Sequence, residues 1–458
     1  MQNKTIVLTT VLSSAISLLA QKNEIKPNMV LFLADDCSYY DIGVYGSKDS
    51  KTPNIDKFAA EGMLFTKGYQ AAPMSSPTRH NLFTGLWPVK TGAYPNHTMA
   101  NVGTNSIVQH LRPAGYRIAL IGKLHISPES VFPFEYVSLT KTNDIDFEAV
   151  DSFIASCTKS NTPFCLFVTS NQPHSPWDKG DATQFDPDKV SLPPFYVDTK
   201  KICSEFCKYL AEVNYMDNEF GKLLAKIDKY RQREKTAVVY LSEQGNSLPF
   251  AKWTCYEAGV HSAYLARWPG KIKPGSISNA IVEYGDITPT FVEIAGVKPV
   301  SKMDGKSIVS VLMRKEKEHK KYTFSIQTTR GIIRGSDYYG IRSVADKKFR
   351  YILNLTPEST FTNATIDAAI FKEWLALSKL NSKAKELTHK YQHRPAEELY
   401  NIENDPYCMI NLAEDMQYAE VATEMDKVLK QWMVECGDKG QETELEAFKH
   451  MPKKLNQD

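Results

Sequence analysis

From Asn28 the chain reads MVLFLADD, an unbroken apolar run that ends in the adjacent acids Asp35 and Asp36. A continuous run of this length predicts a strand buried on both faces of a mainly parallel sheet. The pattern returns three times, in IALIGKLH from Ile118 to His125, FCLFVTSNQPH from Phe164 to His174 and TAVVYLSEQG from Thr236 to Gly245. Each run stops at polar residues. Four strand ends are therefore expected to converge on one rim, the C-terminal edge at which open α/β sheets bind ligands.

Between these runs, NIDKFAAEGM after Thr52-Pro53 and the amphipathic stretch from Ser204 to Lys229 have helical period. Strand alternating with helix implies a doubly wound α/β layer architecture. The charged stretch MRKEKEHKKY, Met313 to Tyr322, reads as a solvated connection and a boundary rather than a binding patch. Beyond it YTFSIQ, YYGIRSV and KFRYILN predict short strands, and Tyr418 to Glu435 a final helix: a small antiparallel sheet with a helix packed on it. The expected domains are residues 26–315 and 320–450.

Composition narrows the function. With 458 residues and 42% hydrophobic content the chain can bury a large core. Lys+Arg 55 against Asp+Glu 53 leaves a net charge of +2, so no global field recruits nucleic acid or an anionic membrane, and any anion site must be local. The start MQNKTIVLTTVLSSAISLLA joins Lys4 to an apolar run from Ile6 to Ala20 and predicts a signal peptide over 1–20 and an exported protein without stable membrane insertion. An uncleaved anchor is the alternative. Eight cysteines, none in a Cys-x-x-Cys pair, are too few for a disulfide scaffold and argue against zinc. Cys203 and Cys207, four apart on the long helix, read equally as a buried-face pair or as a disulfide or redox pair.

The strongest local motif is MSSPTRHNLFTG, which places Ser75, Pro77, Arg79, Thr84 and Gly85 in a [Cys/Ser]-x-Pro-x-Arg spacing followed by Thr-Gly. Alone it could be a Ser-Pro turn opening a helix. In context the chain resembles the type I sulfatase family, serine type. NMVLFLADD matches the family's first strand and acid pair, TPNID (Thr52 to Asp56) its next signature, and ALIGKLH the segment that supplies an active-site Lys and His. NQPHSP, RWPGKI at Arg267, GDITPTFVEIAG at Gly285 and ELYNIENDPYCMINLAED at Glu398 follow in the family's order. The resemblance implies an alkaline-phosphatase-like fold with a large mixed sheet and a smaller C-terminal antiparallel-sheet subdomain. It implies that Ser75 is oxidised to formylglycine (3-oxoalanine) by a maturase before export, in a bacterial and periplasmic setting, and that one Ca2+ per chain is bound. It also implies metal ligation by Asp35, Asp36, Ser75, Glu243 and Gln244, and catalytic roles for Ser75, Arg79, Lys123, His125, His174 and Lys252.

The chemistry fits those residue types. A sulfate ester needs a nucleophile, positive charge for its oxygens and a proton for the departing group. A Ser hydroxyl without a triad partner is a weak nucleophile, whereas a hydrated aldehyde offers one hydroxyl to attack sulfur and another to expel sulfate. Arg79, one helical turn after Ser75, can hold that hydrate, with a structural salt bridge as its alternative. Adjacent carboxylates suit a hard cation. Glu243-Gln244 stands where the family has Asp-Asn or Asp-His, adding one methylene to each ligand while keeping its oxygen. Lys252 resembles the family's sulfate-facing base, with a surface lysine as the alternative, and His97 in TGAYPNH is either a pocket residue or a structural one. IGKLHISPESVFPFEY, YYGIRSVADKKFRYILNL and the run from Glu398 resemble the heparan N-sulfatase branch most, while the segment after His174 departs from it. The expected substrate is a sulfated saccharide, N-sulfated or O-sulfated. Competing readings are a phosphatase or phosphodiesterase of the same fold, and a non-catalytic sugar-binding protein.

Overall fold

The computed structural model describes residues 26–138 and 140–451, so the leader expected at 1–20 lies outside the described residues. Among them, the strands in chain order are β1 (Asn28–Ala34), β2 (Met63–Phe65), β3 (Gly68–Tyr69), β4 (Arg117–Gly122), β5 (Glu135–Tyr136), β6 (Phe164–Thr169) and β7 (Thr236–Ser242). They continue with β8 (Tyr264–Arg267), β9 (Ser276–Ser278), β10 (Val282–Glu283), β11 (Thr323–Thr328), β12 (Gly340–Ala345), β13 (Phe349–Asn354) and β14 (Glu397–Asn401). The large sheet has the order β5-β4-β6-β1-β7-β8-β2-β9. It is parallel from β5 to β7, and β8 runs antiparallel to both β7 and β2.

The four apolar runs are the adjacent strands β4, β6, β1 and β7, at the centre of the sheet. Every residue of β1, β6 and β7 is buried, as strands covered on both faces require. Alternation then divides the core. Val30, Phe32 and Ala34 face one apolar cluster, with Phe206, Leu210 and Phe220 of the helix Lys200–Lys229, while Met29, Leu31 and Leu33 face another, with Leu82, Phe83, Ile287 and Phe291.

Several boundaries differ from expectation. NIDKFAAEGM is helical only over Pro53–Ala60, because β2 opens at Met63; a Cβ on Gly62 would stand 2.3 Å from the Ala266 carbonyl oxygen, so the turn fits only glycine. The long helix begins at Lys200, where the Thr199 hydroxyl caps the Ile202 amide. The charged connection is exposed over residues 314–318, but Lys320 turns inward to Glu283 and lies 2.7 Å from Asp286.

The C-terminal sheet pairs β11-β12-β13-β14 antiparallel, and the helix Ala419–Cys436 lies on it with Trp432 stacked on Phe324 at 4.9 Å. The sequence reading missed β14 and the helices Ala369–Leu377 and Ser382–Gln392 that precede it. Those helices carry Phe371, Trp374, Leu387 and Tyr391 into the apolar cluster of the large sheet. All eight cysteines are buried and unpaired, so Cys203 and Cys207 are a buried pair without a disulfide. No described helix is long and apolar enough to cross a membrane.

Candidate active site

The rim is built by register. Ala34 pairs with Ser242, so Asp35-Asp36 and Glu243-Gln244 leave neighbouring strands side by side, locked by Glu243 N–H to the Ala34 carbonyl at 2.9 Å and Cys37 N–H to the Glu243 carbonyl at 3.1 Å. Gly122 pairs with Thr169 at the far side of β6, with φ 100° and space for no Cβ: a methyl there would lie 2.1 Å from the Thr169 carbonyl oxygen. This turn aims Lys123 back across the rim. Asp36 and His125 hold left-handed backbone at φ 58° and 52°, and Phe250 and Trp253 on either side of Lys252 do the same at 72° and 68°. Such conformations in non-glycine residues persist only where surrounding structure enforces them.

Ser75 opens the helix Ser75–Thr84, entered from extended backbone at Met74 and closed by Gly85 at φ 67°. Pro77 sits in the first turn, where its missing N–H costs nothing. All ten residues of the helix are buried, and its positive N-terminal end points at the rim. The Ser75 hydroxyl donates to Asp35 Oδ1 at 2.8 Å, and Gln244 Nε2 donates to Ser75 Oγ at 2.9 Å and Asp36 Oδ1 at 2.7 Å. Lys123 Nζ pairs with Asp35, and Lys252 Nζ donates to Asp36 Oδ2 at 2.7 Å. His174 lies with Nε2 3.6 Å from Asp36 Oδ2 and Nδ1 2.7 Å from the Ser175 carbonyl oxygen.

Arg79 stands one turn beyond Ser75 on the same helix. It binds Glu243 with two parallel hydrogen bonds of 2.9 and 3.0 Å and donates to the Lys123 carbonyl at 2.6 Å. The guanidinium thus ties the ends of β4 and β7 to the helix. His125 Nε2 meets His97 Nδ1 at 2.8 Å, which brings His97 beside the rim, while His125 Nδ1 is buried without a partner. Lys252 is buried rather than a surface lysine. Trp253, unflagged by the sequence, stacks 5.2 Å beneath its ammonium; adjacency to Lys252 was the one available signal.

The charges are crowded. Burial opposes ionisation of Asp35, but Lys123, with His174, Arg79 and Lys252 behind it, holds its carboxyl well below the ordinary range. Burial and the nearby Asp35 push Glu243 up to about 8 against the pull of Arg79. Burial, followed by Lys123, His97 and Arg79, drives the His125 imidazolium well below its ordinary value.

A divalent cation can be tested against these donors. Among the described residues no group of three or more His, Cys, Asp and Glu side chains stands arranged for a metal, because here one donor is an amide and another a hydroxyl. Gln244 Oε1 is buried with no hydrogen-bond partner while its NH2 faces three oxygens. Turning the amide over would present oxygen to Asp35, Asp36 and Ser75, an all-oxygen set of the kind calcium prefers. The residues fit the ion.

Residues 27–297 match the Sulfatase family, more than half of the chain. The chain belongs to the sulfatase family. Residues 245–359 of this sulfatase also match the C-terminal family of N-sulphoglucosamine sulphohydrolase. An ulvan-active sulfatase of Formosa agariphila is 32% identical over 423 residues, covering 90% of this chain and 81% of its own. Human N-sulphoglucosamine sulphohydrolase is 26% identical with 90% of each chain covered. The solved structure of a Bacteroides fragilis protein described as a sulfatase superposes with a TM-score of 0.71 at 18% identity, over 93% of this chain and 99% of that one. The alkaline-phosphatase-like large mixed sheet with a separate four-stranded antiparallel sheet is the architecture expected from the resemblance.

Proposed function

We propose that this sulfatase removes sulfate esters from a polysaccharide of the ulvan type, using formylglycine made from Ser75 and one calcium ion. The observation that supports this most is the position of Ser75 Oγ, 2.8 Å from Asp35 and 2.9 Å from Gln244, at a helix N-terminus flanked by two buried lysines. Asp35, Asp36, Gln244 and residue 75 hold the ion, and Glu243 shares its carboxylate between the ion and Arg79, since a carboxylate offers about four lone-pair sites. Calcium supplies Lewis-acid charge at the sulfate oxygens. The oxidised side chain supplies the nucleophile that Ser75 itself lacks.

The remaining steps belong to the chain. With a cation on the two acids, Lys123 and Lys252 turn their ammonium groups to the non-bridging oxygens of sulfate. Arg79, fixed by Glu243, holds residue 75 in its attacking orientation. The S–O ester bond breaks, and His125 or His174 delivers the proton that the departing sugar oxygen takes up. Over the full cycle one water adds its hydroxyl to sulfur, so the products are an alcohol and hydrogen sulfate. The protein is exported by the leader at 1–20, and a maturase oxidises Ser75 beforehand. An N-sulfated glucosamine is the second reading, favoured by the match of residues 245–359 and the full-length similarity to the human sulphohydrolase.

The test is co-expression with a serine-type maturase, mass analysis of the Ser75 peptide and sulfate release from ulvan and heparin oligosaccharides. A peptide lighter by two hydrogens together with release from ulvan is the expected result. Release from heparin alone selects the N-sulfate reading. An unmodified Ser75 and no release, with a maturase active on a control protein, sinks the proposal.

A further inference from the structure

Beside the rim lies a cavity of about 910 Å3 lined by His97, Arg330, Arg334, Asp337, Tyr338 and Met451, among others. Its volume falls in the range of about 300–1,000 Å3 typical of ligand sites. One wall is His97, whose partner His125 belongs to the candidate active site. The opposite wall is the turn joining β11 to β12, so the C-terminal sheet brings its own residues up to the catalytic rim. Of this turn, only Tyr338 and Tyr339 fall in a run that the sequence singled out, and Arg330 does not.

The turn is held in place. Asn96 N–H donates to the Arg330 carbonyl at 3.3 Å and the Asn96 side chain to the Gly331 carbonyl at 3.4 Å. Gly331 has φ 81°, and a Cβ there would lie 2.2 Å from the Asn96 carbonyl oxygen, so the two segments touch through bare backbone. Within the turn, Ile332 N–H bonds the Thr329 carbonyl at 3.2 Å, Gly335 N–H the Ile332 carbonyl at 3.0 Å, and Tyr339 N–H the Thr329 hydroxyl at 3.0 Å.

The charges on this wall are not equivalent. Arg334 is paired with Asp367 at 3.2 Å, and the buried Arg79, Arg342 and Arg350 each have a carboxylate partner. Arg330 is half-buried in the cavity wall, and among the described residues its guanidinium has neither a carboxylate within 4.0 Å nor a hydrogen-bond acceptor. Asp337, on the same wall, forms no ion pair with it. A planar fork of N–H donors left open on a fixed turn is suited to a carboxylate or sulfate.

We propose that Arg330 is a specificity-determining residue that binds a second anionic group on the saccharide, on the sugar next to the one losing sulfate. This rests on the reading of the rim as a polysaccharide sulfatase site. The anion is a uronate carboxylate or a second sulfate ester, which share the same geometry at a guanidinium. Arg330 touches substrate away from the reacting atoms, so it acts on binding of that flanking group and not on the chemical step.

The test compares native, carboxyl-reduced and selectively desulfated ulvan and heparin oligosaccharides, with binding to a Ser75→Ala protein measured by calorimetry and sulfate release by the maturase-treated enzyme. In the parent protein, neutralising the flanking anion should weaken binding roughly tenfold, about 1.4 kcal/mol. Arg330→Ala should lose the same factor on the native oligosaccharide and nothing on the neutralised one, raising KM with kcat kept; Arg330→Lys should recover part. The derivative that removes the preference identifies the anion as carboxylate or sulfate. Equal binding of native and neutralised forms by the parent, or equal loss on both in Arg330→Ala, overturns the proposal. Absence of sulfate release from every oligosaccharide by enzyme with modified Ser75 overturns the sulfatase-site reading instead, while the calorimetric comparison still judges Arg330.

Discussion

Two buried charge clusters in this sulfatase solve the same problem in opposite ways. Around Arg342 on β12, Nε and Nη2 pair with Asp438, Nη1 donates to the Ile341 and Gln327 carbonyls and lies 2.8 Å from Glu444, and Thr328 donates to Glu444. Every guanidinium nitrogen has a protein partner. At the rim, Asp35 and Asp36 are matched by lysine heads on flexible stems, Glu243 is crowded by Asp35, and Gln244 Oε1 faces nothing. A cluster knit around one planar guanidinium fixes the fold, whereas a cluster whose acids are matched by movable lysines is poised to exchange partners when a ligand enters.

That contrast can be broken at three points. Arg342→Ala leaves two buried acids without their cation and should cost about 3–5 kcal/mol of stability. Thermal melting would show the loss, and sulfate release per folded molecule should be unchanged; a fall in turnover at full folding would mean that the two clusters are coupled. At the rim, ligand linkage governs: calcium at about 100 times its Kd should add about 2.7 kcal/mol and raise the Tm of the chelator-treated protein. Asp36→Asn should lose that rise, and a parent Tm indifferent to calcium would remove the ion from the account.

The smallest effect concerns a carboxylate near the rim that forms no ion pair among the described residues. Glu219 accepts a hydrogen bond from Ser170, just past β6, and burial pushes its carboxyl from 4.5 up to about 7. A raised carboxyl pKa contributes stability that is complete below about 4.5 and lost as pH rises through about 7. Glu219→Gln removes that loss. Its urea midpoint should exceed the parent's at pH 8 by on the order of 1–3 kcal/mol of stability and match it at pH 5. A constant difference between the variant and its parent across that range would refute the assignment.

What could be read from the sequence follows from the range of the forces involved. The four central strands and their converging ends were legible because burial on both faces leaves an unbroken apolar run, and Ser75 and Arg79 because a helical turn fixes their spacing. The pairing of Arg79 with Glu243 spans 164 residues and was not legible, since the motif alone allowed either a hydrate-binding or a salt-bridging arginine. Lys320 sits in a charged run and looked solvated; only the fold brings Glu283 and Asp286 to it. The helices Ala369–Leu377 and Ser382–Gln392 have apolar faces, but their partners lie in the first half of the chain, as in the contact of Trp374 with Tyr196 at 6.1 Å. His97 gave a pocket residue and a structural one equal weight until its distance to His125 was known.

The burial of the helix Ser75–Thr84 sets a clock on biosynthesis. Ser75 is only 4% exposed, its helix neighbours are covered, and residues as late as Ile402 and Cys408 pack into the apolar cluster of the large sheet. An enzyme that must grip the backbone around Ser75 meets it in an accessible form only before this packing is complete. If Ser75 is oxidised as proposed, this enclosure makes the modification a race against folding, and slowing the closure of the C-terminal third should raise the modified fraction.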